Sequence, residues 1–174
     1  MIVRIALAAA LSLCAAPAAA RDNLGVYGQW GAFRDPAVPR CYAIAAPDSS
    51  PRTGSANRDS AENAPEQPAF ASVGTWPRRQ VRGQVHMRLS RTMAAHSSVR
   101  LALGTARFNL TGGGSDAWAQ DPRMDAAIVA ALRSAATLYV SDTDRAGRRF
   151  TDKYSLDGAA TALDAATVGC ARVR

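Results

Sequence analysis

The sequence has little with which to do chemistry. Among its 174 residues are two histidines and three cysteines. His86 and His96 stand in no metal-binding spacing, so no metal site is expected from them. There is no Gly-x-Ser-x-Gly elbow to expose a nucleophilic serine. Thr111-Gly112-Gly113-Gly114-Ser115 shares only its glycines with a phosphate loop and lacks the lysine, so it reads as a flexible connector before Trp118. These absences argue against an enzyme and against any cofactor. Beyond the first 20 residues no apolar run approaches the roughly 20 residues that a membrane-spanning helix needs.

What is present points to export. Residues 1–20 place Arg4 before an apolar stretch from Ile5 to Ala16, then Pro17 and Ala18-Ala19-Ala20. A positive start, a short apolar core and small residues at Ala18 and Ala20 form a signal peptide with cleavage expected before Arg21. Cys14 could instead carry a lipid, but Leu13 before it is larger than a lipoprotein signal normally accepts. Residues 21–174 then suit one domain in the periplasm or outside the cell. Once the leader is removed, Cys41 and Cys170 remain. In an oxidising compartment an even pair reads as a disulfide, with two free buried thiols as the competing state. They are not arranged as Cys-x-x-Cys, so a redox-active pair is not expected.

Charge is the second clear signal. The chain carries 21 basic and 14 acidic residues, a net charge of +7, and Lys153 is its one lysine. From Gln67 to Ser115 there is no acid, yet Arg78, Arg79, Arg82, Arg88, Arg91, Arg100 and Arg107 fall within it. Trp76 stands beside this run. A basic face of this kind attracts anionic partners, namely phospholipid headgroups, anionic glycans or acidic proteins. The bland alternative is a row of solvated arginines on the outside of a sheet. Export and an aromatic content of 6% argue against nucleic acid as the partner.

Mostly strands are expected. Val26 to Phe33, Arg40 to Ala45, Ala69 to Trp76, Val99 to Leu103, Ala106 to Leu110, Leu138 to Ser141 and Phe150 to Leu156 have strand composition. Val81, Gly83, Val85, Met87 and Leu89 alternate with Arg82, Gln84, His86, Arg88 and Ser90, which predicts one buried face and puts Arg82 and Arg88 together on the wet one. Pro47 to Pro68 is polar and proline-rich and reads as a flexible loop. Asp121-Pro122 starts a helix that runs to about Ser134, and Gly158 to about Val168 forms a second, with Cys170 just beyond it. Asp142, Asp144 and Asp152, beside Arg145, Arg148, Arg149 and Lys153, read as solvated ion pairs around a hairpin. The sum is a mainly β domain, a compact antiparallel sandwich or barrel with two short helices.

Two segments carry a resemblance to a known family. Gly28-Gln29-Trp30 followed by Arg40-Cys41-Tyr42, and Tyr154-Ser155-Leu156-Asp157-Gly158-Ala159-Ala160-Thr161-Ala162-Leu163, resemble the invasion-associated locus B proteins of alphaproteobacteria. The first is similar to that family's Gly-x-Trp strand and following cysteine, the second to its Ser-Leu-x-Gly-x-x-x-Ala-Leu segment. The resemblance implies an exported, compact, mainly β domain of the periplasm or cell envelope. Two functions follow as expectations. The first is a non-enzymatic envelope protein that binds an unknown protein or an anionic envelope component through Trp76, Arg78, Arg79, Arg82 and Arg88. The second is a hydrolase or small-ligand protein with a pocket near residues 111–118.

Overall fold

The computed structural model describes residues 21–48 and 67–171. The expected signal peptide, Cys14 and most of the Pro47–Pro68 loop lie outside the described residues. The strands are β1 (Asp22–Tyr27), β2 (Trp30–Asp35), β3 (Arg40–Ala45), β4 (Phe70–Trp76), β5 (Val81–Arg88), β6 (Val99–Leu103), β7 (Ala106–Gly113) and β8 (Asp116–Trp118). After them come helix α1 (Pro122–Leu132), β9 (Thr137–Thr143), β10 (Arg149–Ser155) and helix α2 (Ala159–Ala171). One antiparallel sheet takes all ten strands in the order β1-β2-β3-β4-β5-β8-β7-β6-β9-β10. It curls into a half-barrel. The two sides of the curl meet where the Trp30 indole N–H donates to the Ser155 carbonyl (2.9 Å) and the Gln29 N–H to the Asp157 carbonyl (3.2 Å).

Local chemistry explains most elements. Asp121 caps α1, its Oδ1 accepting from the Met124 N–H at 2.8 Å, with Pro122 at the first helical position. Val26 to Phe33, expected as one strand, is two strands folded back at Gly28, whose φ of 55° favours glycine. The glycines of 111–115 do not form a connector. Thr111, Gly112 and Gly113 pair with Trp118, Ala117 and Asp116, so β7 runs on through them to a turn at Gly114. The reason is close approach: a Cβ on Gly112 would overlap the backbone of Asp116. Trp118 is 38% exposed and stacks on His86, so it lies on the surface. Cys170 falls inside α2, which extends to Ala171.

The core fills the curl. Trp30, Leu101, Leu138, Val140 and Tyr154 are wholly buried, at 0% exposure. Helix α2 lies across β1 to β4, and α1 covers β5 beside β6 and β7. Where α2 meets β3 and β4 the buried surfaces are small on both sides: Ala43, Ala45 and Ala71 below, Ala159, Ala162 and Ala166 above. Small side chains let helix and sheet approach closely but bury little area apiece. A covalent bond supplements this contact: Cys41 on β3 is disulfide-bonded to Cys170 on α2. Helix α1 is pinned differently. Strand β8 pairs with β5 only from His86 to Arg88, leaving the Val85 N–H without a strand partner on that side. Asp125 of α1 accepts it at 2.8 Å, and burial holds the Asp125 carboxyl above the usual carboxylate range.

The aspartates of the β9–β10 hairpin differ from expectation. Asp142, Asp144 and Asp152 are buried, because the curl brings distant chain over them. Asp144 is 1% exposed, and its Oδ2 accepts from Arg91 (3.0 Å, itself 3% exposed) and Arg148 (2.9 Å). Its Oδ1 accepts the N–H groups of Ala146 and Arg148, which closes the hairpin turn. These bonds, the Arg148 N–H above all and then its guanidinium, hold the Asp144 carboxyl below its ordinary pKa against the opposing effect of burial. The ionised form therefore stabilises the fold above the unfolded pKa and loses that contribution as pH falls through the lower folded value. Denaturant titrations of wild type and Asp144→Asn should differ most at pH 7 and converge toward pH 2. A gap that does not narrow on acidification would show that the Asp144 charge is not the source.

Candidate binding surfaces

The expected binding residues divide between two faces of the sheet. Trp76 ends β4 on the outer face and lays its ring over Gly74, which has no side chain to displace it. Pro77 then breaks the strand into a single 3-10 turn carrying Arg78 and Arg79, both exposed, with Gln80 in the left-handed region at φ 57°. Neither arginine makes an ion pair or hydrogen bond among the described residues. Arg88 is on the outer face too, but it is paired, its Nη1 lying 3.3 Å from Asp116 Oδ1.

Arg82 is elsewhere. Gly74 pairs with Gln84 while Trp76 pairs with Val81, so β5 carries one extra residue opposite Thr75. This bulge centres on Gly83 (φ 66°), whose N–H donates to Thr75 Oγ1 at 3.1 Å. The extra residue reverses the alternation, so Arg82 turns to the helix-covered side. Arg82 and Arg88 therefore lie on opposite faces rather than sharing the outer one.

The outer face also holds aromatic contacts that the sequence does not announce. His86 stacks on Trp118 with ring centroids 5.0 Å apart and meets Phe70 edge-on at 5.2 Å. Its Nε2 lies 2.8 Å from the same Asp116 oxygen that Arg88 approaches. One step along the strands, Phe33 lies against Tyr42 (5.6 Å), and the Arg40 guanidinium covers the Tyr42 ring at 4.8 Å. Tyr42 pairs with Gly74, beneath Trp76, so two aromatic rows cross β2 to β8. Alternation puts His86 on the wet face, but only the strand order, with β8 beside β5, brings Trp118 to it.

On the opposite face the helices stand apart over β4 and β5 and leave a groove of about 910 Å³. Val73, Thr75, Arg82 and Gly83 form its floor, Ala126, Val129 and Ala130 one wall, and Leu163, Ala166 and Cys170 the other. Its lining takes nothing from residues 111–118. Among the described residues no group of three or more His, Cys, Asp or Glu side chains could hold a metal ion. No described helix is long and apolar enough to cross a membrane.

A single antiparallel sheet curled into a half-barrel, with a C-terminal helix disulfide-bonded across it, defines the structural class of this protein. The same fold occurs in the crystal structure of invasion associated protein B from Bartonella henselae, with a TM-score of 0.54 and 18% sequence identity. The match covers 83% of this chain and 95% of that one. The fold is thus the one that the Gly28–Trp30 and Tyr154–Leu163 resemblance implies. No family model matches the sequence, and no curated protein matches it.

Proposed function

We propose that this is a non-enzymatic protein of the periplasm or cell envelope, related to the invasion-associated locus B family, whose outer sheet face binds an anionic macromolecular surface. The observation that carries the reading is the exposed pair Arg78 and Arg79 beside Trp76, with no acidic partner among the described residues. Two arginines held on a rigid turn offer charge that no internal ion pair has neutralised. The aromatic rows beside them supply apolar contact area with few rotatable bonds. The Cys41–Cys170 bond suits an oxidising compartment and supports the same address.

Each basic side chain near an anionic lipid surface contributes about 1 kcal/mol, so Arg78→Gln with Arg79→Gln should weaken binding to phosphatidylglycerol vesicles by about 30-fold at low salt. Both side chains are exposed, so the fold should be unaffected. Wild-type binding should also fall steeply as salt is raised. Vesicle sedimentation reads both effects, and unchanged partition of the double variant would overturn the proposal. Affinity capture from periplasmic extract, wild type against the variant, then identifies the physiological surface.

A further inference from the structure

We propose that the groove between the two helices is a binding site for a long-chain carboxylate, a single alkyl chain ending in one anionic head. The site uses different residues from the outer face and stands independently of the function proposed above.

The argument begins with side-chain size. Ala126 and Ala130 of α1 face Ala166 of α2 across the groove, where larger residues would have closed the gap and completed the core. Gly83 adds no side chain to the floor, and the nearest atom to a Cβ built there is in Val129 at 3.8 Å. The result is a smooth apolar trough within the volume range, about 300–1,000 Å³, of known small-ligand sites. It is held open rather than left to collapse. Asp125 fastens α1 to β5, the disulfide fastens the end of α2 to β3, and Arg133 joins Asp164 across the helices at 2.7 Å.

Charge then selects the ligand. Arg133 is already neutralised by Asp164, whereas Arg82 makes no ion pair or hydrogen bond among the described residues. The Gly83 bulge is what turns Arg82 onto this face, so the one unneutralised charge among the described lining residues is placed there by a specific backbone feature. A purely apolar occupant would strip water from that guanidinium and give nothing back. A carboxylate takes the guanidinium fork with two parallel hydrogen bonds, and its alkyl chain lies along the alanine-lined trough.

The test is calorimetric titration of the whole disulfide-bonded chain with dodecanoate below its micelle concentration, with dodecanol as the uncharged control. Saturable one-to-one binding of dodecanoate is expected, at least tenfold tighter than dodecanol. Arg82→Gln should weaken it by about tenfold, the size of one charged hydrogen bond. Ala130→Trp, at an exposed helical position, should abolish it without lowering the melting temperature. Arg78→Gln with Arg79→Gln should leave it unchanged, which separates this site from the outer face. Absence of saturable binding, as a groove made for a peptide segment would give, overturns the proposal. So does equal affinity for dodecanol, or full binding by a folded Ala130→Trp variant.

Discussion

Replacing both Cys41 and Cys170 with serine is expected to lower the melting temperature by about 6–12 °C, a loss of roughly 3 kcal/mol in a domain of this size. The bond closes 129 residues of sequence. Chain entropy alone assigns a loop of that length close to 5 kcal/mol, and measured disulfides fall typically between about 2 and 4. Against a net stability of about 5–15 kcal/mol the share is large. The local packing explains why no other contact takes its place. The residues of α2 that face β3 and β4 are mostly alanines on alanines, so each removes little apolar area from water. In the last turn of α2, Gly169 packs on Leu24 and the Cys170 sulfur lies 3.8 Å from the Thr75 carbonyl, contacts that involve little side chain of the helix itself. Thermal melts of oxidised wild type, reduced wild type and the double serine variant read the effect, and the latter two should coincide. A variant that melts within 2 °C of the oxidised protein would show that α2 is docked by packing alone.

The elements that local chemistry dictates were legible in the sequence. Asp121-Pro122 marks the start of α1 because a capping carboxylate and a residue without an N–H suit the first helical turn wherever the helix packs. Arg40 to Ala45 and Val99 to Leu103 have the bounds that their apolar patterns imply. What stayed hidden depends on neighbours remote in sequence. Gly83 fits either face of an alternating strand, so nothing in residues 81–89 shows that β5 gains a residue and moves the exposed Arg82 to the helix-covered face. The glycines of 112–114 read as flexible because they lack side chains, yet at Gly112 β8 requires that lack in order to approach. Asp144 reads as a surface acid beside Arg148, while its second partner, Arg91, lies 53 residues away. The candidate site was legible in the same measure. Trp76, Arg78 and Arg79 sit together because they are adjacent in the chain, whereas the His86–Trp118 stack and the interhelical groove follow from strand order and helix spacing.

Gly158→Ala should cost at least 3 kcal/mol, while Gly147→Ala, at the same backbone angle, should cost only about 1. Both glycines have φ of 80°, so both substitutions carry the strain of placing a side chain in the left-handed region. Gly147 has open space around it, with nothing within 4 Å of an added Cβ. Gly158 does not: its Cβ would overlap the carbonyl of Tyr27 at the β1–β2 turn, a backbone atom that cannot rotate away. Gly28 faces Asp157 in the same junction, so the two glycines let two backbones touch. That junction is where the curl closes, secured by the Gln29 N–H on the Asp157 carbonyl and the Trp30 indole on the Ser155 carbonyl. Forcing it apart would loosen the seat of Trp30, the largest wholly buried side chain, as well as the start of α2. The Gly-x-Trp and Ser-Leu-x-Gly segments that carry the family resemblance are thus the two sides of one contact. Urea midpoints of the two variants separate the effects. Equal losses would mean that the backbone angle alone decides, and that the closeness of Gly158 to Tyr27 contributes nothing to closing the half-barrel.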